Sequence, residues 1–206
     1  MKKCVIVGGA DIEKYDIIKS YFCKDDFFVY CDSGLKHREK LGASPDLIVG
    51  DFDSFENPHS ETETIVLPCV KDDTDTVFAV KEMMKRGYDE FLLIGVIGAR
   101  LDHTLGNVYI LTMLEKAGKR GIIVDDYSEM EMITDKTAYI EDKYSFFSLL
   151  NINGKAEGVT IENAKYNLSG AVISDEYQYG VSNEVEKGKT AAVSVKNGAL
   201  LLIKIR

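Results

Sequence analysis

The sequence predicts an α/β fold, in which an N-terminal mostly parallel sheet with helices on both faces is followed by a C-terminal all-β sandwich domain. Up to about residue 127, short β-branched runs alternate with segments whose apolar residues follow helical spacing. Beyond that point short β-rich runs take over, separated by glycines. We therefore predict two domains, residues 1–127 and residues 128–206.

Six strands are predicted in the N-terminal domain, because each is a short apolar run that stops at glycine, proline or aspartate. These runs are 4–7, 27–31, 47–49, 64–67, 91–94 and 121–124. Apolar residues at helical spacing predict helices over 12–22, 35–41, 76–86 and 104–116. Strands that alternate with helices indicate parallel pairing, and ligands of such sheets bind outside the carboxyl ends of the strands.

The C-terminal domain is predicted to contain strands only. The β-rich runs are 144–150, 159–161, 171–173, 190–195 and 200–205, and the glycines between them are at 154, 158, 170, 180, 188 and 198. Regularly spaced turns between short strands are typical of a small sandwich or barrel.

Composition limits the classes of partner. Lysine and arginine number 25 and aspartate and glutamate 34, so the formal charge is −9, which argues against a nucleic-acid or anionic-membrane partner. The four cysteines have no C-x-x-C spacing, which argues against a zinc ribbon or a disulfide framework. The first apolar run is too short for a signal peptide, and no run is long enough to cross a bilayer. We expect a cytoplasmic protein.

The central motif is Gly50-Asp51-Phe52-Asp53, which follows the apolar run 47–49. Strand alternation would turn Asp51 and Asp53 to one side and Phe52 to the other. Two crowded carboxylates repel each other unless a proton or a hard cation lies between them, and Mg²⁺ is the usual cation. The alternative is a polar turn that caps a helix.

One edge of the predicted sheet collects polar residues, since they all come just after strands. They are Asp32, Asp51, Asp53, Asp72, Asp75, Arg100 and Asp102. Mg²⁺ with a polyphosphate explains so many carboxylates, and Lys71 and Arg100 would balance phosphate charge. Capping is the alternative reading for Asp72, Asp75 and Thr74, and His103 is either a base or a capping residue. The chain has no G-x-x-x-x-G-K-[ST] and no G-x-G-x-x-G motif.

Five motifs, taken together and in order, resemble thiamine pyrophosphokinases over nearly the whole chain. They are Asp32-Ser33-Gly34, Pro45 through Ser54, Lys71 through Asp75, Gly95 through His103 with Asn107, and Ser182-Asn183. Two features depart from that family: Ser33 stands where the family usually has glycine, and the chain has no tryptophan to stack on thiamine. Tyr166 and Tyr177 are candidates to replace it.

The resemblance implies transfer of the pyrophosphoryl group of ATP to thiamine with Mg²⁺, in a homodimer whose active sites are shared across the interface. It implies an ATP- and magnesium-binding domain over residues 1–127 and a thiamine-binding sandwich over residues 128–206. The implied metal ligands are Asp51, Asp53, Asp72 and Asp75, and the implied catalytic residues are Asp51, Asp53, Asp75 and Arg100. The implied ATP-binding residues are Asp32, Lys71, Asp72, Thr74, Arg100, Asp102, His103 and Asn107, and Ser182 and Asn183 would bind thiamine.

Two other functions use the same residues. A Mg²⁺-dependent nucleotide hydrolase would use the acidic edge with water as the acceptor, but it would not need a second domain that presents Ser182 and Asn183. A catalytically silent sensor of thiamine or nucleotide would need affinity without carboxylates arranged around transferring phosphate.

Overall fold

The structure is a computed structural model that describes residues 2–52, 61–70 and 72–206. Two of the predicted site residues, Asp53 and Lys71, lie outside these ranges. The chain divides into two compact units, Met1–Asp126 and Tyr127–Arg206.

Within the residues described, the first unit contains a parallel sheet of six strands. Its order is β4-β3-β2-β1-β5-β6, and each adjacent pair is parallel. The strands are β1 (Lys3–Val7), β2 (Phe27–Cys31), β3 (Leu47–Gly50), β4 (Glu63–Val66), β5 (Glu90–Ile94) and β6 (Arg120–Val124). The central strands are buried along nearly their whole length, as expected for a sheet that is covered on both faces. The predicted mostly parallel sheet is confirmed.

Four α-helices and one 3-10 helix accompany this sheet in the described part of the unit. They are α1 (Tyr15–Lys19), the 3-10 helix Asp32–His37, α2 (Arg38–Leu41), α3 (Asp75–Lys85) and α4 (Leu101–Lys116). The prediction for 12–22 was too long, since α1 has five residues. The segment 35–41 is helical throughout, but its first three residues belong to the 3-10 helix and its last four form α2. The helix predicted over 104–116 begins earlier, because α4 starts at Leu101 and includes Asp102 and His103.

The second unit consists of two antiparallel sheets around one apolar core. Strands β7 (Ser128–Ile133), β13 (Leu200–Ile205) and β9 (Phe146–Leu150) pair with β13 in the middle. The other sheet has the order β11-β10-β12-β8, from β11 (Leu168–Ser174), β10 (Lys155–Glu162), β12 (Thr190–Ser194) and β8 (Ala138–Glu141). Fourteen buried residues, among them Phe147, Leu149 and Leu202, form the shared core. The predicted sandwich is confirmed.

Two strands of the second unit, β7 and β8, were not predicted. The β7 sequence Ser-Glu-Met-Glu-Met-Ile is half polar, yet Glu129 is buried because Lys204 lies opposite it on β13 and forms an ion pair with it. The run alternates polar and apolar residues only from Glu129 to Met132, and two glutamates in so short a run indicate a solvent-exposed segment when the sequence is considered alone. Among the described residues, no helix is both long and apolar enough to cross a membrane.

Candidate active site

A cavity of about 340 Å³ lies at the carboxyl ends of β1 and β5. Its walls come from the loop after β1, the 3-10 helix after β2, the start of α3, the loop after β5 and the first turns of α4. The lining residues are Gly8, Gly9, Ala10, Asp11, Ser33, Lys36, Thr76, Gly95, Val96, Gly98, Ala99, Arg100, His103, Thr104 and Asn107.

Bare backbone forms the wall between β1 and β5. A Cβ atom added at Gly8 would lie 2.5 Å from the carbonyl oxygen of Gly95, and one added at Gly95 would lie 2.5 Å from that of Gly8. Gly95 also has φ +61°, which side-chain-bearing residues rarely adopt. The Ala10 N–H donates to the Gly95 carbonyl at 2.8 Å. Because neither glycine has a side chain, the two strand ends lie close together and the space beside them stays open for a ligand.

The 3-10 helix contributes Ser33 and Lys36 to the cavity. A Cβ atom added at Gly9 would lie 1.9 Å from Ser33 Oγ, so the serine hydroxyl fits only because residue 9 is glycine. Lys36 Nζ donates to Asp11 Oδ1 at 2.7 Å across the opening, where the Asp11 side chain is 93 % exposed. This bond lowers the pKa of the Asp11 carboxyl.

His37, a lone histidine without ligand spacing in the sequence, is not a surface residue. It is buried, and its Nε2 lies 2.9 Å from the carbonyl oxygen of Ala10. Because a carbonyl can only accept, Nε2 carries the proton, and in the neutral ring Nδ1 accepts from the Tyr15 hydroxyl at 2.8 Å. Burial lowers the His37 pKa. His37 thus supports, from beneath, the loop that lines the cavity.

Arg100 and Asp102 form a forked ion pair at the start of α4. Arg100 Nε donates to Asp102 Oδ1 at 3.0 Å and Nη2 to Oδ2 at 2.6 Å, with both side chains largely exposed. The hydrogen bonds from Arg100 hold the pKa of the Asp102 carboxyl well below its usual range. Arg100 therefore already presents its planar fork to a carboxylate, the same geometry that binds phosphate.

Thr104 and Asn107 hold the loop after β5 onto α4. The Gly98 N–H donates to Thr104 Oγ1 at 3.0 Å, and Asn107 Nδ2 donates to the carbonyl of Val96 at 2.8 Å. Asn107 is buried, and His103 lies in the same helical turns on the cavity wall. The predicted residues Arg100, His103 and Asn107 are therefore brought together.

Three aspartates lie at the same edge of the sheet but do not line the cavity. Asp32 begins the 3-10 helix after β2, Asp51 follows β3, and Asp75 begins α3. A Cβ atom at Gly50 would lie 3.2 Å from the Asp32 Cα, so the ends of β2 and β3 are in contact. Cys31 Sγ lies 3.8 Å from the Asp75 carbonyl oxygen, which joins α3 to β2.

The alternation predicted for Asp51 and Asp53 does not continue past Gly50. The strand ends there, and Phe52 has φ +56°, outside the strand region. Phe52 packs partly buried against the core of the first unit. Asp51 is half-buried at the strand end, and Asp53 lies outside the described residues.

The segment before α3 caps that helix. Thr74 is the N-cap residue, and its hydroxyl accepts from the Val77 N–H at 3.3 Å. Asp72 is exposed, and Asp73 pairs with Lys81 through both carboxylate oxygens at 2.8 Å.

The chemistry of these donors suits Mg²⁺. Within residues 2–52, 61–70 and 72–206, no three His, Cys, Asp or Glu side chains are grouped so that they alone could hold a metal ion. Mg²⁺ seldom needs such a cage, because it usually binds one or two carboxylates together with water and phosphate oxygens. Asp51 and Asp75 offer such carboxylates at the edge where a phosphate-bearing ligand would lie.

In the second unit, the side chain of Asn183 is hydrogen-bonded within the fold. It is buried, its Oδ1 accepts from the N–H groups of Tyr166 at 3.0 Å and Glu184 at 2.9 Å, and its Nδ2 donates to the Tyr166 carbonyl at 2.8 Å. Ser182 is exposed with φ +58°, and its N–H donates to Ser148 Oγ. The exposed ring of Tyr166 is thus fixed at its backbone by Asn183.

Sequence reasoning missed several lining residues, among them Gly9, Lys36 and Thr76. The glycine pair after the first strand could have indicated Gly9, because that position faces the ligand side of a parallel sheet. Lys36 and Thr76 carry no comparable signal, since their helices were predicted from apolar spacing alone.

Known proteins of similar sequence and structure give a consistent result. The family description "Thiamin pyrophosphokinase, catalytic domain" matches residues 18–123, and "Thiamin pyrophosphokinase, vitamin B1 binding domain" matches residues 135–200. A thiamine pyrophosphokinase of Bacillus subtilis (strain 168) is 23% identical over 212 residues, covering 99% of both chains.

Two solved structures have the same fold. The crystal structure of thiamine pyrophosphokinase from Bacillus subtilis has a TM-score of 0.87 at 22% identity and covers 99% of both chains. That from Geobacillus thermodenitrificans has a TM-score of 0.83 at 25% identity, covering 99% of this chain and 97% of the other. The two family descriptions together span most of the sequence. The chain therefore belongs to the thiamine pyrophosphokinase family and is a transferase of the thiamine diphosphokinase type.

Proposed function

We propose that the protein transfers the pyrophosphoryl group of ATP to the hydroxyl of thiamine, giving thiamine diphosphate and AMP. The observation that carries this proposal is the cavity at the ends of β1 and β5, where Arg100 lies beside an edge rich in carboxylates. Transfer from a magnesium nucleotide requires a basic side chain that binds phosphate. It also requires neighbouring carboxylates that bind the metal ion.

In this proposal Arg100 binds phosphate oxygens with the fork it now directs at Asp102. Asp102 keeps the guanidinium oriented while the site is empty of nucleotide. His103 and Asn107 shape the same wall, and Asp32, Lys71, Asp72 and Thr74 complete the ATP site from the ends of β2 and the start of α3. The backbone at Gly8 and Gly95 leaves space for the nucleotide to approach the strand ends.

Asp51, Asp53, Asp72 and Asp75 are the proposed magnesium ligands, with Asp51, Asp53, Asp75 and Arg100 as the catalytic residues. When bound, Mg²⁺ would neutralise charge on the transferring and leaving phosphates. The carboxylates of this chain would hold the ion through their oxygens, beside the phosphates of the nucleotide.

The proposal extends to the whole chain. Residues 1–127 would bind ATP and magnesium, and residues 128–206 would bind thiamine through the segment at Ser182 and Asn183. Asn183, whose amide is used within the fold, would act by holding Tyr166 and the neighbouring backbone. We further propose a cytoplasmic homodimer in which each active site combines parts of both subunits.

Incubation of the pure protein with ATP, Mg²⁺ and thiamine tests the reaction. We expect AMP and thiamine diphosphate in equal amounts, and neither product when thiamine is omitted. AMP or ADP release without thiamine would indicate a nucleotide hydrolase instead. Binding of ATP or thiamine with no product under any condition would indicate a sensor.

A further inference from the structure

The 3-10 helix Asp32–His37 directs its side chains by a period of three. Residues three apart are eclipsed in a 3-10 helix, so Ser33 and Lys36 share one face and Gly34 and His37 another. The first pair lines the cavity. The second pair contacts the end of β1 and its loop, since a Cβ at Gly34 would lie 2.2 Å from the Val7 carbonyl oxygen and His37 bonds to Ala10. The buried pair fixes the orientation of the lining pair.

Lys36 and Arg100 reach the cavity from the two sides of β1. The 3-10 helix follows β2 and α4 follows β5, and these two strands are the neighbours of β1 in the sheet. Each cation is held by an aspartate: Lys36 by Asp11 at 2.7 Å and Arg100 by Asp102 at 2.6 Å. Both aspartates are exposed, and ion pairs between exposed side chains contribute little stability and are easily exchanged.

We propose that Lys36 is a phosphate-binding residue of this cavity. In the absence of ligand its ammonium group is hydrogen-bonded to Asp11, and a polyphosphate displaces that carboxylate when it binds. The inference rests on the proposed function in that the polyphosphate is taken to be that of ATP. A chain of phosphates carries more negative charge than one carboxylate, so it attracts the lysine ammonium group more strongly. Asp11 therefore lowers the affinity for phosphate while it keeps the lysine in place.

Direct binding of ATP, AMP and adenosine, measured by calorimetry without thiamine, tests the inference. We expect Lys36→Met to weaken ATP binding about tenfold, because a charge-assisted hydrogen bond to phosphate is lost, and to leave adenosine binding unchanged. Lys24→Met is the matched control. Lys24 is an exposed lysine just before β2, at the amino-terminal edge of the sheet opposite the cavity, so the same loss of charge there should leave ATP affinity unchanged.

The ion pair is tested by Asp11→Asn. Removal of the competing carboxylate should tighten ATP binding about two- to fivefold, the range expected for an exposed ion pair. Because Asp11 acts through Lys36, the double variant should bind ATP as weakly as Lys36→Met alone. The unfolding temperature of each variant is measured as well. If it equals that of the wild type, the differences in affinity come from binding and not from loss of folding.

Equal ATP affinities for Lys36→Met and Lys24→Met would overturn the role of Lys36. Weaker ATP binding by Asp11→Asn would show that Asp11 contacts the nucleotide itself and would overturn its role as a competitor. If the wild-type protein binds ATP and shows the predicted changes but makes no thiamine diphosphate, the proposed function fails and the inference on Lys36 stands. If the wild-type protein makes thiamine diphosphate while Lys36→Met binds ATP normally, the inference on Lys36 fails and the proposed function stands.

Discussion

Arg100 and a lysine at the same position would carry the same charge but not the same geometry. The Arg100 guanidinium makes two parallel bonds to Asp102. Arg100→Lys keeps the charge and loses the fork, so we predict at least about a tenfold fall in kcat/KM for ATP. Steady-state kinetics measures this. Arg120→Lys, at the amino-terminal end of β6, is the control and should keep wild-type kinetics. Normal kinetics for Arg100→Lys would leave Arg100 as a surface ion-pair residue.

His37 predicts a pH dependence of stability. Burial lowers its pKa below the ordinary value of 6.5, so as the pH falls the unfolded chain takes up this proton before the folded chain does. The contribution of His37 to stability is therefore full above pH 6.5 and is lost as the pH falls through the lowered pKa. The charged groups nearest to His37 are Asp11, Lys36 and Lys40.

The measurement is thermal unfolding of wild type and His37→Gln between about pH 7.5 and about pH 5.5. Wild type should lose stability toward the acid end, and the variant should lose less, since glutamine does not titrate. Parallel slopes for the two proteins would contradict the burial-linked titration of His37.

The residues of the site divide into those with a sequence signal and those without one. Arg100 could be predicted because it follows a strong apolar run by a few residues, so the strand end fixes its place. Lys36 and His37 could not, because a 3-10 helix of six residues is too short to show an apolar period and a single histidine has no ligand spacing. Asp51 was placed at the correct strand end, but the left-handed backbone at Phe52 cannot be read from alternation.

At the scale of elements, the 3-10 helix and the loop after β1 fit together through Gly9 and Ser33. Gly9→Ala would bring Cβ to within 1.9 Å of Ser33 Oγ, and we predict a loss of about 1–3 kcal/mol in the free energy of unfolding. Adding Ser33→Gly removes the hydroxyl and should restore most of this loss. Urea unfolding of the two single variants and the double variant gives the coupling.

Gly106→Ala is the control for that cycle. Gly106 lies within α4, and a Cβ there would have no neighbour within 4 Å. Alanine should therefore stabilise the protein by about 0.5–1 kcal/mol through helix propensity. A Gly9→Ala variant that is as stable as wild type, or one that Ser33→Gly does not improve, would show that the loop moves away from the 3-10 helix at little cost.

Elements could be predicted where burial and pattern agree. Strands β1, β2, β3 and β5 are apolar and buried along nearly their whole length, so their apolar runs located them in the sequence. Strand β7 could not be predicted, because Glu129 and Lys204 are buried as a pair across the strands and each looks like a surface residue in isolation. Contacts between residues distant in sequence stabilise such strands, and a local sequence pattern carries no information about those contacts.

At the scale of the whole molecule, the proposed dimer makes a quantitative prediction. Two inactive proteins, Asp75→Asn and Ser182→Trp, are unfolded together and refolded as a mixture. If each site combines the carboxylate edge of one subunit with the Ser182 segment of the other, half the dimers are mixed and each has one intact site, so about a quarter of wild-type activity returns. The assay is formation of thiamine diphosphate, with mixed dimers confirmed by mass. Activity near zero in confirmed mixed dimers would mean that each site lies within one chain.

The central position of β13 has a consequence for the order in which the chain can fold. Every strand of the parallel sheet is translated before residue 127, so β1 to β6 can pair with one another while the rest of the protein is still being made. Strands β7 and β9 pair through β13, which the ribosome adds last of the three, after a delay on the order of 10 s. During that interval their edges and the apolar faces beneath them are open to other chains. Aggregation during synthesis should therefore depend on the second unit, and a slower ribosome should increase it.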